Sequence, residues 1–293
     1  MTVPMWNIVA TRIDAGPPTT VRARKRFGQH FLHDQSVLRT IHEAIGLRPS
    51  SHCVEIGPGT GALTEGLIAA QPASLTLIEI DRDLAAVMRG RIKAEQLGFC
   101  SLIEGDVLSF NFIELASKLG QQIHVVGNLP YNISTPLLFH LMGQRRVVFD
   151  QVFMLQKEVV DRIVAPVGGA DFGRLSVMMQ SCYQAWHLLD VPAEAFSPAP
   201  KVLSAVFRLV SHQQCAWPQP GLDFPQEKLE TLLRVGFEQR RKMLRAHLLR
   251  WLRDQGVDAD EARALGFAPE ARAQEIPVSA WCAMAMRLGG KRA

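Results

Sequence analysis

The stretch His52-Cys-Val-Glu-Ile-Gly-Pro-Gly-Thr-Gly-Ala-Leu-Thr-Glu-Gly-Leu-Ile-Ala-Ala70 decides the fold. Residues 52–56 are an apolar run of strand length. Gly57 to Gly61 hold three glycines in five positions, which suits a tight turn, and the run from Ala62 has helical character. A second strand, Ser74-Leu-Thr-Leu-Ile-Glu-Ile80, comes next and ends beside Glu79 and Asp81. Strand, glycine loop, helix, strand and acid in that order is the pattern of a nucleotide cradle on a doubly wound α/β sheet. The glycines let the backbone approach a ligand, and an acid about 20 residues further on can accept from two ribose hydroxyls.

Outward from this core the acids accumulate. Glu55 precedes the glycines, Glu79 ends the second strand, and Asp106 comes after a third strand at Cys100-Ser-Leu-Ile-Glu104. Gly57-x-Gly59-x-x-Ala62 also satisfies the looser dinucleotide pattern, so a nicotinamide-dependent oxidoreductase stands as an alternative. Three carboxylates, however, repel a pyrophosphate and suit S-adenosylmethionine, which carries a sulfonium and an ammonium.

A fourth strand, Ile123-His-Val-Val-Gly127, runs into Asn128-Leu-Pro-Tyr131. An Asn amide oxygen and a carbonyl in a turn stiffened by Pro130 are two hydrogen-bond acceptors at one spot. Tyr131 adds a stacking face of the kind that grips unpaired bases. The exocyclic amine of adenine is a poor nucleophile because its lone pair is delocalised. Two acceptors drawing on its hydrogens out of the ring plane would free that pair. Taken alone, the four residues are equally a strand leading into a turn. In an open α/β sheet, though, ligands bind at the carboxyl ends of the strands, so all four features meet on one rim.

The 293 residues, 47% hydrophobic and 20% charged, have a globular composition, and no apolar stretch approaches the roughly 20 residues that span a bilayer. The five cysteines are scattered without paired spacing, which argues against a disulfide frame or metal site and suits a reducing cytoplasm. Basic residues gather at the two ends: Lys and Arg outnumber Asp and Glu in 1–50 and in 212–293, whereas acids lead in 51–211. A polyanion could contact both ends. After Val210 the strand pattern stops, and Ser211 to Gly221 is a linker by its Pro and Gly content. Helical patterns cover 226–237, 243–253, 258–265 and 279–288, with Leu244, Leu248 and Trp251 facing inward. The expected division is a flexible tail over 1–21, a methyltransferase domain over 22–211 and a helical RNA-binding domain over 212–293.

Together these motifs resemble the ribosomal RNA adenine N6-dimethyltransferases, chiefly the bacterial small-subunit branch, over Arg24 to about Met284. The resemblance is carried by Arg24-Lys-Arg-Phe-Gly-Gln-His-Phe-Leu32, Glu55-Ile-Gly-Pro-Gly-Thr-Gly61, Leu77-Ile-Glu-Ile-Asp81 and Gly127-Asn-Leu-Pro-Tyr-Asn132. It extends through Met154-Leu-Gln-Lys-Glu-Val159, Gly173-Arg-Leu-Ser-Val177, Phe196-Ser-Pro-Ala-Pro-Lys-Val202 with Ser204-Ala-Val206, and Phe237-Glu-Gln-Arg-Arg-Lys242.

It implies a class I methyltransferase sheet with a helical appendage, using S-adenosylmethionine. Gln29, His30 and Leu32 would line the methionine and ribose end of the donor. Gly57 and Gly59 would allow its close approach, Glu79 would take the ribose hydroxyls, and Asp106 the adenine amine. Asn128 would hold the target N6 beside the donor, with Pro130 in the same turn and Tyr131 and Phe196 sandwiching the flipped base. Position 30 is commonly Asn in relatives. Glu55 would brace the loop amides. Arg240, Arg241, Lys242 and Arg245 would form a helical basic ridge, continued by Arg22, Arg24, Lys25 and Arg26 as a phosphate track. The implied substrate is a pair of adjacent adenosines in a 3′-terminal hairpin loop of small-subunit RNA, within an assembling subunit, modified by a monomer in the cytoplasm. Two alternatives are a large-subunit RNA methyltransferase conferring antibiotic resistance and an assembly factor whose catalysis is secondary.

Overall fold

The computed structural model describes residues 30–212 and 225–290. Gln29, Arg22, Arg24, Lys25 and Arg26 therefore lie outside the described residues, as does most of the expected linker.

The chain runs β1 (Phe31–Leu32), α1 (Gln35–Ile45), β2 (His52–Ile56), α2 (Ala62–Ala69), β3 (Ser74–Glu79), α3 (Arg82–Ala94), β4 (Cys100–Glu104), α4 (Phe112–Leu119), β5 (Ile123–Asn128), α5 (Ser134–Gly143) and β6 (Val148–Gln156). It continues through α6 (Lys157–Val164), α7 (Arg174–Cys182), β7 (Tyr183–Val191), β8 (Phe196–Ser197) and β9 (Ser204–Ser211), then α8 (Gln226–Glu238), α9 (Leu248–Asp254), α10 (Ala259–Ala264) and α11 (Val278–Gly289). Local chemistry sets several boundaries. Asp34 caps α1 by accepting from Ser36 N (2.8 Å) and Val37 N (3.1 Å), and Gly46 ends it in the left-handed region at φ 60°. Asp81 caps α3 and Asp258 caps α10 in the same manner.

Seven strands form one sheet in the order β4-β3-β2-β5-β6-β9-β7. The first five are parallel, and β9 and β7 add antiparallel. This is the doubly wound α/β sheet that the pattern at 52–81 implies. Chain order reverses between β2 and β5, so the ligand crevice of such a sheet opens at their carboxyl ends. Successive strand residues face opposite layers. Cys53 and Val126 join the layer under α1 and α2, while Val54 and Val125 join the layer under α5, α6 and α7.

The C-terminal helices surround Trp281, which is fully buried, stacked on Phe237 (centroids 5.5 Å apart) and met edge-on by Phe267 (5.0 Å). Leu229, Leu232, Leu248 and Leu252 belong to the same unbroken core as Phe153 and Phe207 of the sheet. The predicted helix over 243–253 is not continuous. A single 3-10 turn, Leu244–Ala246, precedes α9. Leu244 and Leu248 are buried as expected, but Leu252 takes the inner place given to Trp251, which is only half-buried. Strand β3 stops at Glu79 and leaves Ile80 half exposed, at 51%. Among the described residues no helix is long and apolar enough to cross a membrane.

Candidate functional site

Where β2 ends, Gly57, Gly59 and Gly61 have φ of 64°, 58° and 90°, a region closed to most side chains at low cost. Gly57 N donates to Ile78 O (2.9 Å), and Gly61 N donates to Pro58 O (2.8 Å). The loop is fastened to β3 by Glu79, whose carboxylate accepts from Gly59 N (3.1 Å) and Asp81 N (2.9 Å). Burial pushes the Glu79 carboxyl above its ordinary range, and these two bonds pull it back. Glu79 thus takes the bracing role expected of Glu55. The reason is reach: Glu55 lies further back in β2 and points into the cavity floor.

Glu55 is 1% exposed, and its Oε2 has no hydrogen-bond partner. Burial pushes its carboxyl up to about 8. The Thr64 hydroxyl opposes this, the Glu79 charge adds to it, and Arg91 opposes it. The folded protein therefore binds this proton at pH values where the unfolded chain has released it. Stability falls as pH rises from the ordinary carboxyl range through about 8, at about 1.4 kcal/mol for each pH unit within that window. Glu55→Gln removes the ionisation. Its denaturation midpoint should match the wild type at pH 4 and exceed it at pH 9. An equal pH response in both proteins would show that Glu55 is not the group responsible.

A cavity of about 320 Å³ opens at this rim. It is walled by the glycine loop, Glu55, Glu79 and Asp106 on one side and by Asn128, Leu129, Pro130 and Tyr131 on the other, and His30, Phe31 and Leu32 also line it. Its size is in the range of small-molecule sites, and the Glu79 and Asp106 carboxylates beside the Glu55 carboxyl in one mostly apolar pocket favour a cationic ligand. Asp106 is exposed, and its Oδ1 accepts from Leu108 N (2.9 Å), capping a short 3-10 turn. Phe31, to which the sequence motifs assign no role, covers the loop: a methyl built on Gly59 would lie 3.4 Å from its ring.

Asn128 ends β5. Its Nδ2 donates to His30 O (3.0 Å), which fixes the rotamer and leaves the amide oxygen as the free end of the side chain. Leu129 N donates to Met154 O (3.2 Å), and Ile133 N donates to Pro130 O (3.2 Å), so the turn is held on both flanks. The half-buried Tyr131 shares a hydrogen bond with the Ser204 hydroxyl (2.8 Å), and burial raises its phenol. Its ring lies against His30, with centroids 5.9 Å apart and planes 27° apart. Ser204 is a second residue without an expected role. It belongs to the Ser204-Ala-Val206 piece of the motifs, and only the antiparallel return of β9 brings it to Tyr131.

Phe196 does not stand in the cavity wall. It is 4% exposed in β8, pairs in register with Leu32 of β1, and packs into the layer under α1. In this arrangement its ring offers no face to a base. Leu32 is likewise mostly core, at 5% exposure.

The helical basic ridge does not form. Helix α8 ends at Glu238, and Arg240, Arg241 and Lys242 occupy a turn held by pairing of Met243 with Arg272. Arg240 is committed within the chain: Nε donates to Gln274 Oε1 (3.0 Å), and Nη2 donates to Phe172 O (2.9 Å) and to Ala170 O. It ties the appendage to the loop between α6 and α7. Arg241, Lys242 and Arg245 are exposed, and none is in an ion pair with another described residue.

Comparison with known proteins agrees with this geometry. The chain is 48% identical over 267 residues to the ribosomal RNA small subunit methyltransferase A of Leptothrix cholodnii, covering 90% of this chain and 91% of the relative. It is 49% identical over 260 residues to the protein of that name from Bordetella petrii, covering 88% and 92%. Among solved structures it resembles a dimethyladenosine transferase from Plasmodium falciparum, with TM-score 0.74, 24% identity and 89% and 98% coverage. It also resembles the 23S rRNA methyltransferase ErmE, with TM-score 0.66, 24% identity and 89% and 100% coverage. These two likenesses speak for the fold. The family described as ribosomal RNA adenine dimethylase matches residues 20–289, nearly the whole chain, and the protein belongs to that family.

Proposed function

We propose that this protein transfers methyl groups from S-adenosylmethionine to N6 of two adjacent adenosines in a 3′-terminal hairpin loop of small-subunit ribosomal RNA, giving N6,N6-dimethyladenosine. One observation carries the reading: the acidic side chains of Glu55, Glu79 and Asp106 and the amide of Asn128 wall the same cavity. The residues fit the donor. A buried carboxylate oxygen of Glu55 lacks a partner, and no atom lies within 4 Å of where a Cβ on Gly57 would stand. When bound, S-adenosylmethionine supplies an activated methyl group on a sulfonium, so the protein's work is positioning.

Glu79 would accept from the donor's ribose hydroxyls and Asp106 from its adenine amine. The Asn128 oxygen and a turn carbonyl accept from the target N6 hydrogens, while Tyr131 stacks on the extruded base. No side chain need act as base, because the methylated ammonium is acidic enough to lose its proton to water. Arg241, Lys242 and Arg245 meet RNA phosphates, and Arg240 serves by fixing their turn. The assembling small subunit is the substrate, and a monomer suffices.

A large-subunit target is the second reading. Relatives named for the small subunit are 46–49% identical, which favours the first. The test is incubation with labelled donor and either immature small subunits or large subunits, with mapping of the modified nucleotides. Label at two adjacent adenosines near the 3′ end of small-subunit RNA is expected. Label confined to large-subunit RNA would reverse the assignment.

A further inference from the structure

We propose that Ser204 is a positioning residue of the transfer reaction, and that the Tyr131 hydroxyl is its point of attachment rather than a group that acts on the RNA. The proposal rests on the methyl-transfer reading above and deepens it. The turn after β5 fixes the backbone of Tyr131 but not its ring. Ile133 N donates to Pro130 O (3.2 Å), and the Ser134 hydroxyl donates to Tyr131 O (3.0 Å). The torsion that sets the plane of an aromatic ring is soft, so a ring held only at its root presents a range of tilts. A base stacked on such a ring carries its amine through a matching range of positions, away from the one geometry that reacts.

The missing restraint is applied at the ring's tip, where Tyr131 Oη and Ser204 Oγ are hydrogen-bonded at 2.8 Å. Among the described residues this is the one hydrogen bond that either hydroxyl makes. Ser204 is a rigid post for it. The residue is 0% exposed and opens β9, where it pairs in register with Gln156 of β6 and with Val191 of β7. Its neighbour is tied as well, because Lys157 N donates to Leu203 O (2.9 Å). Two flanking strands thus hold the serine, and its bond fastens the turn that ends the parallel strand β5 to the antiparallel part of the sheet. A buried hydroxyl needs a partner, so the pair stays joined. The tether works through position and holds whichever oxygen donates.

The experiment is a double-mutant cycle of Ser204→Ala and Tyr131→Phe, which keeps the stacking ring. Donor affinity is measured by calorimetry, and methyl transfer to immature small subunits in single turnover at saturating donor. The chain has two tyrosines, so ring-labelled tyrosine NMR resolves Tyr131 from Tyr183. Each single substitution should lower the rate about tenfold and leave donor affinity within about twofold of wild type. The double variant should be no slower than either single one, because both remove the same bond. Ser204→Ala should also shift the Tyr131 resonance and leave that of Tyr183 unmoved. If Ser204→Ala fails to fold, Ser204→Cys takes its place, since a thiol fills the site and makes only a weak hydrogen bond. Losses that multiply in the double variant, or a Tyr131→Phe loss far above that of Ser204→Ala, would mean that the phenol acts on the RNA itself and would overturn the proposal. So would a wild-type rate in Ser204→Ala, or a donor affinity weakened about tenfold, the mark of a general loosening. Wild-type protein that binds donor yet methylates no RNA overturns the underlying functional reading instead.

Discussion

Asn128→Ala is expected to lower the rate of methyl transfer by about 10²–10³-fold, the range for removing one preorganised polar contact to a reacting group. The expectation comes from how the amide is held. Its nitrogen end is spent on His30 O, so its oxygen end is the acceptor presented to the cavity. Without that acceptor, the lone pair of the target amine stays delocalised in the base. Asn128→Asp should be nearly as damaging, because a carboxylate oxygen would then face the His30 carbonyl at about the same 3.0 Å separation with no hydrogen between them. Donor binding should change little in either variant. Single-turnover transfer with labelled donor, beside calorimetry of the donor, measures both quantities. A rate for Asn128→Ala within tenfold of wild type would refute the amine-holding role.

Gly127→Ala is expected to damage both halves of the site at once. A Cβ on Gly127 would stand 2.6 Å from the backbone carbonyl oxygen of Ile56, and a backbone atom cannot swing aside. Strands β2 and β5 are hydrogen-bonded neighbours at the reversal of strand order, so relief requires them to part. Parting them moves the glycine loop, attached to Ile56, and Asn128, attached to Gly127, in opposite senses. Overpacking of this kind costs about 1–3 kcal/mol, or roughly 3–10 °C in Tm for a chain of this length. A misplacement of about 1 Å between reactants lowers the rate by about 10²-fold. Thermal unfolding and the transfer assay together test this. An unshifted Tm with full activity would mean that the strands have slack which the contact distances do not reveal.

The glycine loop, the three acidic strand ends and the Asn-Leu-Pro-Tyr turn are legible in the sequence because each is a local matter. A left-handed φ selects glycine, and a strand end is marked by the turn residues beside it. The features the sequence leaves hidden depend on residues far apart in the chain. Phe196 reads as a loop aromatic until Leu32, more than 160 positions earlier, pairs with it and draws it into the core. Arg240 reads as one rung of a helical ridge. The helix stops because Met243 and Leu244 bond to Arg272 and Ala271, and tertiary pairing outweighs local helical preference there. Which acid braces the loop is likewise a question of a few ångströms. Glu55 and Glu79 are both candidates by composition, and only Glu79 reaches the Gly59 amide.

The unbroken packing from Phe207 to Trp281 gives the molecule the character of a calliper. Arg241 and Lys242 cannot swing relative to the cavity mouth without prising apart apolar side chains, so heat should release both lobes in a single step. On the proposed reading, an RNA whose phosphates and target base were not spaced to match would forfeit one grip to gain the other. Selectivity for a folded substrate would then need no reading of base edges, because the fixed gap between the jaws would gauge the RNA's shape.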